Sequence, residues 1–215
     1  KDDDGFVTYG TELALPRSIG AVRRRFDIKE VIRKAHERDI YVIARIVVFK
    51  DKQLYGYRGN DLAVWNRRDN VPWGYFVPVT DGETGEITHE QREFWVDPFS
   101  AEVWEYNIAI AEELEKLGVD EIQFDYIRFP SDGDLSTAVY RHQRQGMSRI
   151  EALESFVVMA RERVTLPIST DLYGFNSWYR MGNWIGQNME MLRDYVDVIS
   201  PMYYPSHFPS DFLKE

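Results

Sequence analysis

The chain has no cysteine. This excludes disulfides, a thiol nucleophile and thiolate metal sites. Histidine is scarce too: His36, His89, His142 and His207 are all there is, and no two stand at zinc-ligand spacing. The expectation is therefore no metal and no cofactor. Basic charge is in short supply, with 26 Lys and Arg against 36 Asp and Glu and a net charge of -10. Nucleic-acid binding rests on clustered Lys and Arg, so a nucleic-acid partner is not expected. No apolar run reaches the ~18 residues that would span a bilayer, so membrane insertion is not expected either. Nucleotide-binding glycine motifs (GxGxxG, GxxxxGK[ST]) are absent, and Ser131, Ser169 and Ser200 lack the GxSxG context of a nucleophile elbow.

The totals are those of an ordinary globular protein, with 44% hydrophobic and 29% charged residues, and 215 residues make one domain the default. Aromatic content is high at 14%. Many of the rings stand among polar residues: Trp65, Trp73, Tyr75, Trp178, Tyr179, Tyr203 and Tyr204. Such rings commonly pack loops, and they can also serve as platforms for the apolar faces of sugars.

Periodicity divides the chain into alternating elements. Residues 6–9 read as a short strand and 11–18 as loop. Asp27 is placed to cap a helix, with Glu30 completing a capping-box-like pair and Ile28, Val31, Ile32 and Ala35 at helical spacing. Residues 40–49, IYVIARIVVF, read as a strand buried on both faces, interrupted only by Arg45. Residues 50–93 are irregular, with a helical turn expected at 60–65 and a hairpin near 73–79. A short strand is expected at 93–96. Ser100 and Gly118 bound a helix, residues 121–126 form the next strand, and 132–146 read as loop with some helix. Ser148 and Glu151 make a capping box for a helix to about Arg163. A strand at 166–172, a helix at 184–195 and a strand at 196–202 follow. Strand and helix in alternation predict α/β architecture with parallel strands, and without nucleotide motifs the (β/α)8 TIM barrel is the expected form.

The stretch that organises these elements is GVDEIQFDYIRFPSDGD, residues 118–134, where an apolar strand ends in Asp125, Tyr126 and Arg128. In such folds the carboxyl edge of the sheet presents the chemistry. Arg45 and Asp51, Asp97, Asp171 and Tyr173, and Tyr203 and His207 fall at the ends of the other strands. Glycosidic hydrolysis needs two carboxyl groups flanking the bond, and Asp125 and Asp171 fit that need. Arg45, inside an apolar strand, requires a buried anion, for which Asp125 is the natural candidate. The alternative reading is a structural ion pair between Asp125 and Arg45 or Arg128. Asp2, Asp3 and Asp4 look like part of a calcium loop, but the twelfth-position ligand is missing, so a solvated turn is expected.

At EIQFDYIRFPS the sequence resembles a bacterial family of glycoside hydrolase domains marked by an FDYIRFPS segment. YVIARIVVFKD at residues 41–51 resembles that family's second barrel strand. WVDP at 95–98 resembles the approach to its third helix, SPMYYPSHF at 200–208 its sixth strand, and KDDDG the loop after its first. The resemblance implies an α-amylase-like TIM barrel acting on a polysaccharide or oligosaccharide, with a two-carboxylate retaining mechanism. It puts Asp125 at the fourth strand end as nucleophile and Asp171 at the fifth as acid/base. Arg45, Tyr126, Arg128, Tyr173, Trp178, Tyr203 and His207 would bind substrate, with Tyr179 and Trp73 as further stacking rings. An extracellular or cell-envelope location goes with such a substrate. The alternative is a catalytically silent carbohydrate-binding barrel in cell-wall or spore-envelope assembly. Related domains have a strand before Lys1 and further units after the sixth. One domain over residues 1–215, truncated at both ends and holding about six of the eight strand–helix units, is therefore expected.

Overall fold

The structure, a computed structural model, describes residues 1–174 and 182–204. Near the start, Val7 makes a single parallel bridge to Val22 rather than the expected strand. A short helix, α1 (Ala14–Ser18), replaces the expected loop. Helix α2 (Ile28–His36) begins where Asp27 predicts it, the Asp27 carboxylate accepting the N–H groups of Lys29 and Glu30. Glu30 does not complete the box but pairs with Arg33 and Lys34. Only Ile32 of its apolar residues is fully buried, and Val31 faces outward.

Strand β1 (Ile43–Val47) starts the sheet. The excursion after it contains α3 (Lys52–Tyr55), capped by Asp51, and no helical turn at the expected position. Strands β2 (Trp65–Asn66) and β3 (Val71–Pro72) follow, then the expected hairpin of β4 (Tyr75–Thr80) and β5 (Ile87–Glu93). Helix α4 (Ala101–Leu117) is capped by Ser100 and stopped by Gly118, whose φ of +95° is open to glycine at no steric cost. It leads into β6 (Glu121–Asp125). A short β7 (Ala138–Val139) joins β2 and β3 in an antiparallel sheet. Helix α5 (Arg149–Arg163) carries the full capping box, Ser148 accepting from Glu151 N–H and Glu151 from Ser148 N–H. It leads into β8 (Ile168–Tyr173). Two short helices, Gly182–Ile185 and Met189–Leu192, stand where one long helix was expected, and β9 (Val198–Met202) follows.

The central sheet is parallel, in the order β1-β6-β8-β9. Two sequence expectations change here. Residues 93–96 do not form a sheet strand between β1 and β6; Trp95 and Val96 instead bridge to Lys50 and Ala63. β6 therefore lies directly beside β1, and Asp125 is one strand, not two, from residues 43–47. Second, the expected barrel with six of eight units is, among the described residues, an open sheet of four parallel strands.

The two faces of this sheet differ. Ile46, Ile122, Phe124, Ile168 and Leu172 lie on the apolar side and are fully buried. Phe124 meets Phe156 of α5 edge-on at 5.1 Å, and Phe156 meets Phe49 at 5.6 Å. Register places Arg45, Gln123, Asp125, Ser169 and Ser200 on the opposite side, together with Asp171. Residues 46–49 are buried on both faces as expected, whereas the first half of the run is not, with Ile40, Tyr41 and Ile43 exposed along an edge strand. The apolar content follows from helix packing on one side, while the other side is left for polar groups.

Phe156 joins the helix layer to two segments of the sheet. Phe156→Ala is expected to lower unfolding stability by about 3–5 kcal/mol, the cost of a large ring-sized cavity. Urea unfolding followed by circular dichroism checks this; a loss below about 1 kcal/mol would mean that this ring is not a core keystone.

Candidate active site

Phe124 pairs with Thr170 across β6 and β8, so the next residues on the two strands, Asp125 and Asp171, stand side by side at the carboxyl edge. Val47 is the partner of Asp125 on β1, and Arg45, two residues earlier, shares its face. Arg45 reaches along the sheet to Asp125: Nε donates to Oδ2 at 2.9 Å, and Nη2 donates to the same oxygen. Nη2 also donates to Asp3 Oδ1 at 3.1 Å. Burial opposes the charge on Arg45, but the attraction of Asp125 outweighs it and holds the guanidinium pKa above its ordinary value.

Asp125 is 4% exposed and Asp171 9% exposed. The Asp171 side chain stands beside Asp125 on the neighbouring strand, near enough for the charge of one to act on the other. Burial, then the negative charge of Asp125, push the pKa of Asp171 up to about 7, with Arg45 pulling the other way. The pair thus presents one carboxylate bound by a guanidinium and one carboxylic acid that keeps its proton to near neutrality.

The backbone around the pair is held by a residue with no motif to announce it. Gln187 is buried, its amide N–H groups reaching Ile127 O at 3.3 Å and Asp171 O at 3.2 Å. Its Oε1 accepts the Tyr173 N–H at 2.9 Å. Immediately after Asp125, Tyr126 takes a φ of +53°, rare for a bulky residue, and its N–H donates to Asp125 Oδ1 at 2.6 Å. Such a conformation costs on the order of 1–3 kcal/mol and occurs where surroundings over-determine it. The Tyr126 ring lies 5.8 Å from Trp95, under Lys50 Nζ at 4.9 Å and Arg128 at 5.1 Å.

Arg128 is 6% exposed, its guanidinium also facing the rings of Trp95 at 4.8 Å and Tyr173 at 5.3 Å. Nη1 donates to Phe129 O and Ser131 Oγ, both at 3.1 Å. Burial lowers its pKa from the ordinary value.

A cleft of about 570 Å³ lies over these groups, lined by Arg45, Asp125, Tyr126, Arg128 and Tyr173 among the residues expected to act; Asp171, beside Asp125 on the next strand, is not on its wall. Asp3, Lys50, Met202 and Tyr204 also line it. A larger hollow of about 780 Å³, along α5 past Arg144 and Met147, holds none of the strand-end groups.

Several sequence expectations fall elsewhere. Tyr203 is 42% exposed and is not on the cleft wall, where its neighbour Tyr204 is. Trp178, Tyr179 and His207 lie outside the described residues. Trp73 is a core residue, its Nε1 donating to Asp134 O at 3.1 Å, and not a rim platform. Asp51 caps α3 and pairs with Lys1, and Asp97 accepts N–H groups from Phe99 and His142, so both are structural. Asp3, expected as part of a solvated turn, belongs to the site through Arg45. Its turn is tight: Gly5 has φ +85°, and a Cβ there would stand 2.1 Å from Asp51 Oδ1. Among the described residues no three His, Asp or Glu groups are clustered so as to hold a metal ion, and no helix is long and apolar enough to cross a membrane.

Comparison with known proteins bears on what this site belongs to. A solved hypothetical protein from Ruminiclostridium thermocellum is 32% identical over 80% of this chain and 79% of its own, with a TM-score of 0.65. A Family GH13_31 enzyme matches 94% of this chain and 42% of its own at 14% identity and TM-score 0.52. The glycoside hydrolase domain of PgaB (BpsB) from Bordetella bronchiseptica matches 78% and 52%, at 15% identity and TM-score 0.50. This chain spans about half or less of the last two, and at these identities they are likenesses of fold. No curated protein matches. One family model covers residues 1–214, under the description "putative glycosyl hydrolase domain", and the chain belongs to that family.

Proposed function

We propose that the cleft hydrolyses glycosidic bonds of a polysaccharide or oligosaccharide with Asp125 and Asp171 as the reacting carboxyls. The observation that carries this reading is a pair of acids at the ends of adjacent strands: Asp125 bound by Arg45, and Asp171 kept protonated up to about pH 7 by burial and the charge of Asp125. Asp171 is then the general acid that gives its proton to the leaving oxygen. Asp125 is the nucleophile, attacking the anomeric carbon to form a glycosyl ester, and Asp171, now a carboxylate, takes a proton from the water that cleaves this ester.

The remaining sequence expectations belong to this proposal. Tyr126, Tyr173 and the cationic side chains position the sugar, Tyr204 takes the wall position expected of Tyr203, and Trp178 and His207 extend the binding surface. A (β/α)8 barrel is the scaffold, residues 1–215 form one domain of it, and the substrate is met outside the cell or in its envelope. The second reading, a sugar-binding barrel without turnover, draws on the cleft wall, which Asp125 lines and Asp171 does not.

Asp171→Asn is expected to lower turnover on a responsive glycan by at least about 10²-fold, the scale of a lost general acid. Asp125→Asn is expected to abolish it, both variants remaining folded by circular dichroism. An active Asp125→Asn protein would remove Asp125 from the nucleophile role. Retention or inversion at the anomeric carbon is read directly by proton NMR of the first product.

In wild type, kcat/KM should fall as pH rises through about 7, where Asp171 loses its proton. Arg45 pulls this pKa down, so Arg45→Gln should move the basic limb upward. A limb that stays in place would separate it from Asp171.

Stability should show the same proton. The folded Asp171 titrates above its ordinary value of 3.8, near 7, so its contribution is complete below the lower value and is lost as pH rises through the upper one. Asp171→Asn should therefore gain melting temperature over wild type as pH rises from about 4 to above 7. A gap that does not vary with pH would contradict the assignment.

A further inference from the structure

The charges around the cleft do not all cancel. Arg45 is answered by Asp125 and Asp3, and Lys50 lies 3.7 Å from Glu93 Oε1. Arg128 is different. It is buried, it lines the cleft, and among the described residues no carboxylate lies within ion-pair distance of it. Its Nη1 is used by Phe129 O and Ser131 Oγ, and Asp132 stands one hydroxyl further away, accepting from Ser131 at 2.6 Å. Its Nε, buried, has no hydrogen-bond partner. Trp95, Tyr126 and Tyr173 face the guanidinium, and their ring quadrupoles offset part of the loss of water but accept no in-plane N–H bond. A guanidinium stays charged in proteins and presents a planar fork suited to an oxyanion.

We propose that the substrate of this cleft is an acidic glycan, and that Arg128 receives its anionic group, with Tyr126 and Tyr173 flanking the sugar that bears it. This rests on the glycan reading of the site and narrows its substrate class. A protein of net charge -10 repels anions at long range, so a buried guanidinium with no carboxylate at ion-pair distance selects by local contact, Glu93 and Asp132 offsetting its charge only from further away. The group is a single oxyanion: the carboxylate of a uronic acid, or a sulfate or phosphate ester. A neutral sugar could offer the guanidinium only hydroxyl acceptors, whereas an oxyanion makes charge-assisted bonds roughly twice as strong and offsets the buried charge.

The test uses the intact protein with matched probes: glucuronic acid, galacturonic acid, glucose 6-sulfate and glucose 6-phosphate against glucose and galactose. Calorimetry reads the affinity of each probe. At least one acidic probe should bind at least about ten-fold tighter than its neutral parent, and the arm that wins identifies the oxyanion. That margin should disappear in Arg128→Gln and be partly kept in Arg128→Lys. In the unmutated protein, the Arg128 Nε–H resonance should shift with the acidic probe and not with the neutral one, a measurement that needs no variant to fold. Equal binding of acidic and neutral sugars, binding of neither, an unmoved Nε–H resonance, or a margin that survives in both variants would overturn the proposal. Glycan hydrolysis is assayed separately. Hydrolysis lost in Asp125→Asn, with no acidic preference, would reject the Arg128 subsite alone. An Arg128-dependent preference with no hydrolysis of any glycan would keep the subsite and reject the enzyme.

Discussion

The bond between Arg45 and Asp125 is the interaction on which the rest of the polar face depends. Two carboxyls on neighbouring strands, both largely out of water, cannot both carry charge at low cost. A guanidinium from the next strand binds one of them, and burial together with that neighbour's negative charge keeps the proton on the other. The asymmetry needs no special element. It follows from strand register, which places Arg45 two residues from the partner of Asp125 and on the same side. A register shift of one residue on β1 would turn Arg45 into the helix layer and leave both acids without a cation.

The scaffold keeps that register by separating its two faces. Phe124, Ile122 and Ile168 lie buried on the helix side, and Phe156 ties this layer to Phe49 at the end of the run that contains β1. The irregular residues between β1 and α4 supply the opposite wall. Trp95 is bridged to Lys50 and so stands beside Tyr126 and Arg128. Gln187 holds the chain after β6 and β8 together through three backbone groups. The long connection is ordered because it forms the site, as long ordered loops in compact domains commonly do.

What the sequence made legible was mostly local. The SRIE capping box, the Ser100 and Gly118 bounds of α4 and the strand ending at Asp125 depend on residues a few positions apart. Arg45 and Asp125 were also legible as a pair, because a charge inside an apolar strand demands an anion. What was not legible depends on pairing between distant segments. Residues 93–96 have strand-like composition, but Trp95 and Val96 bridge to the loop and not to the sheet. Trp73 stands among polar residues in sequence and is in the core, because β2, β7 and the turn at Gly133 close over it. Asp3 gave no signal beyond a run of acids, and only the fold brings Arg45 to it.

Asp3 has a consequence of its own. Arg45 Nη2 is divided between two acids, one in the site and one on an acidic turn shaped by Gly5. The turn works as a tap on the guanidinium: the more of Arg45 that Asp3 draws, the less remains to pull down the proton affinity of Asp171. That affinity can therefore be tuned from the rim, by small movements or substitutions in the acidic turn to which Asp3 belongs.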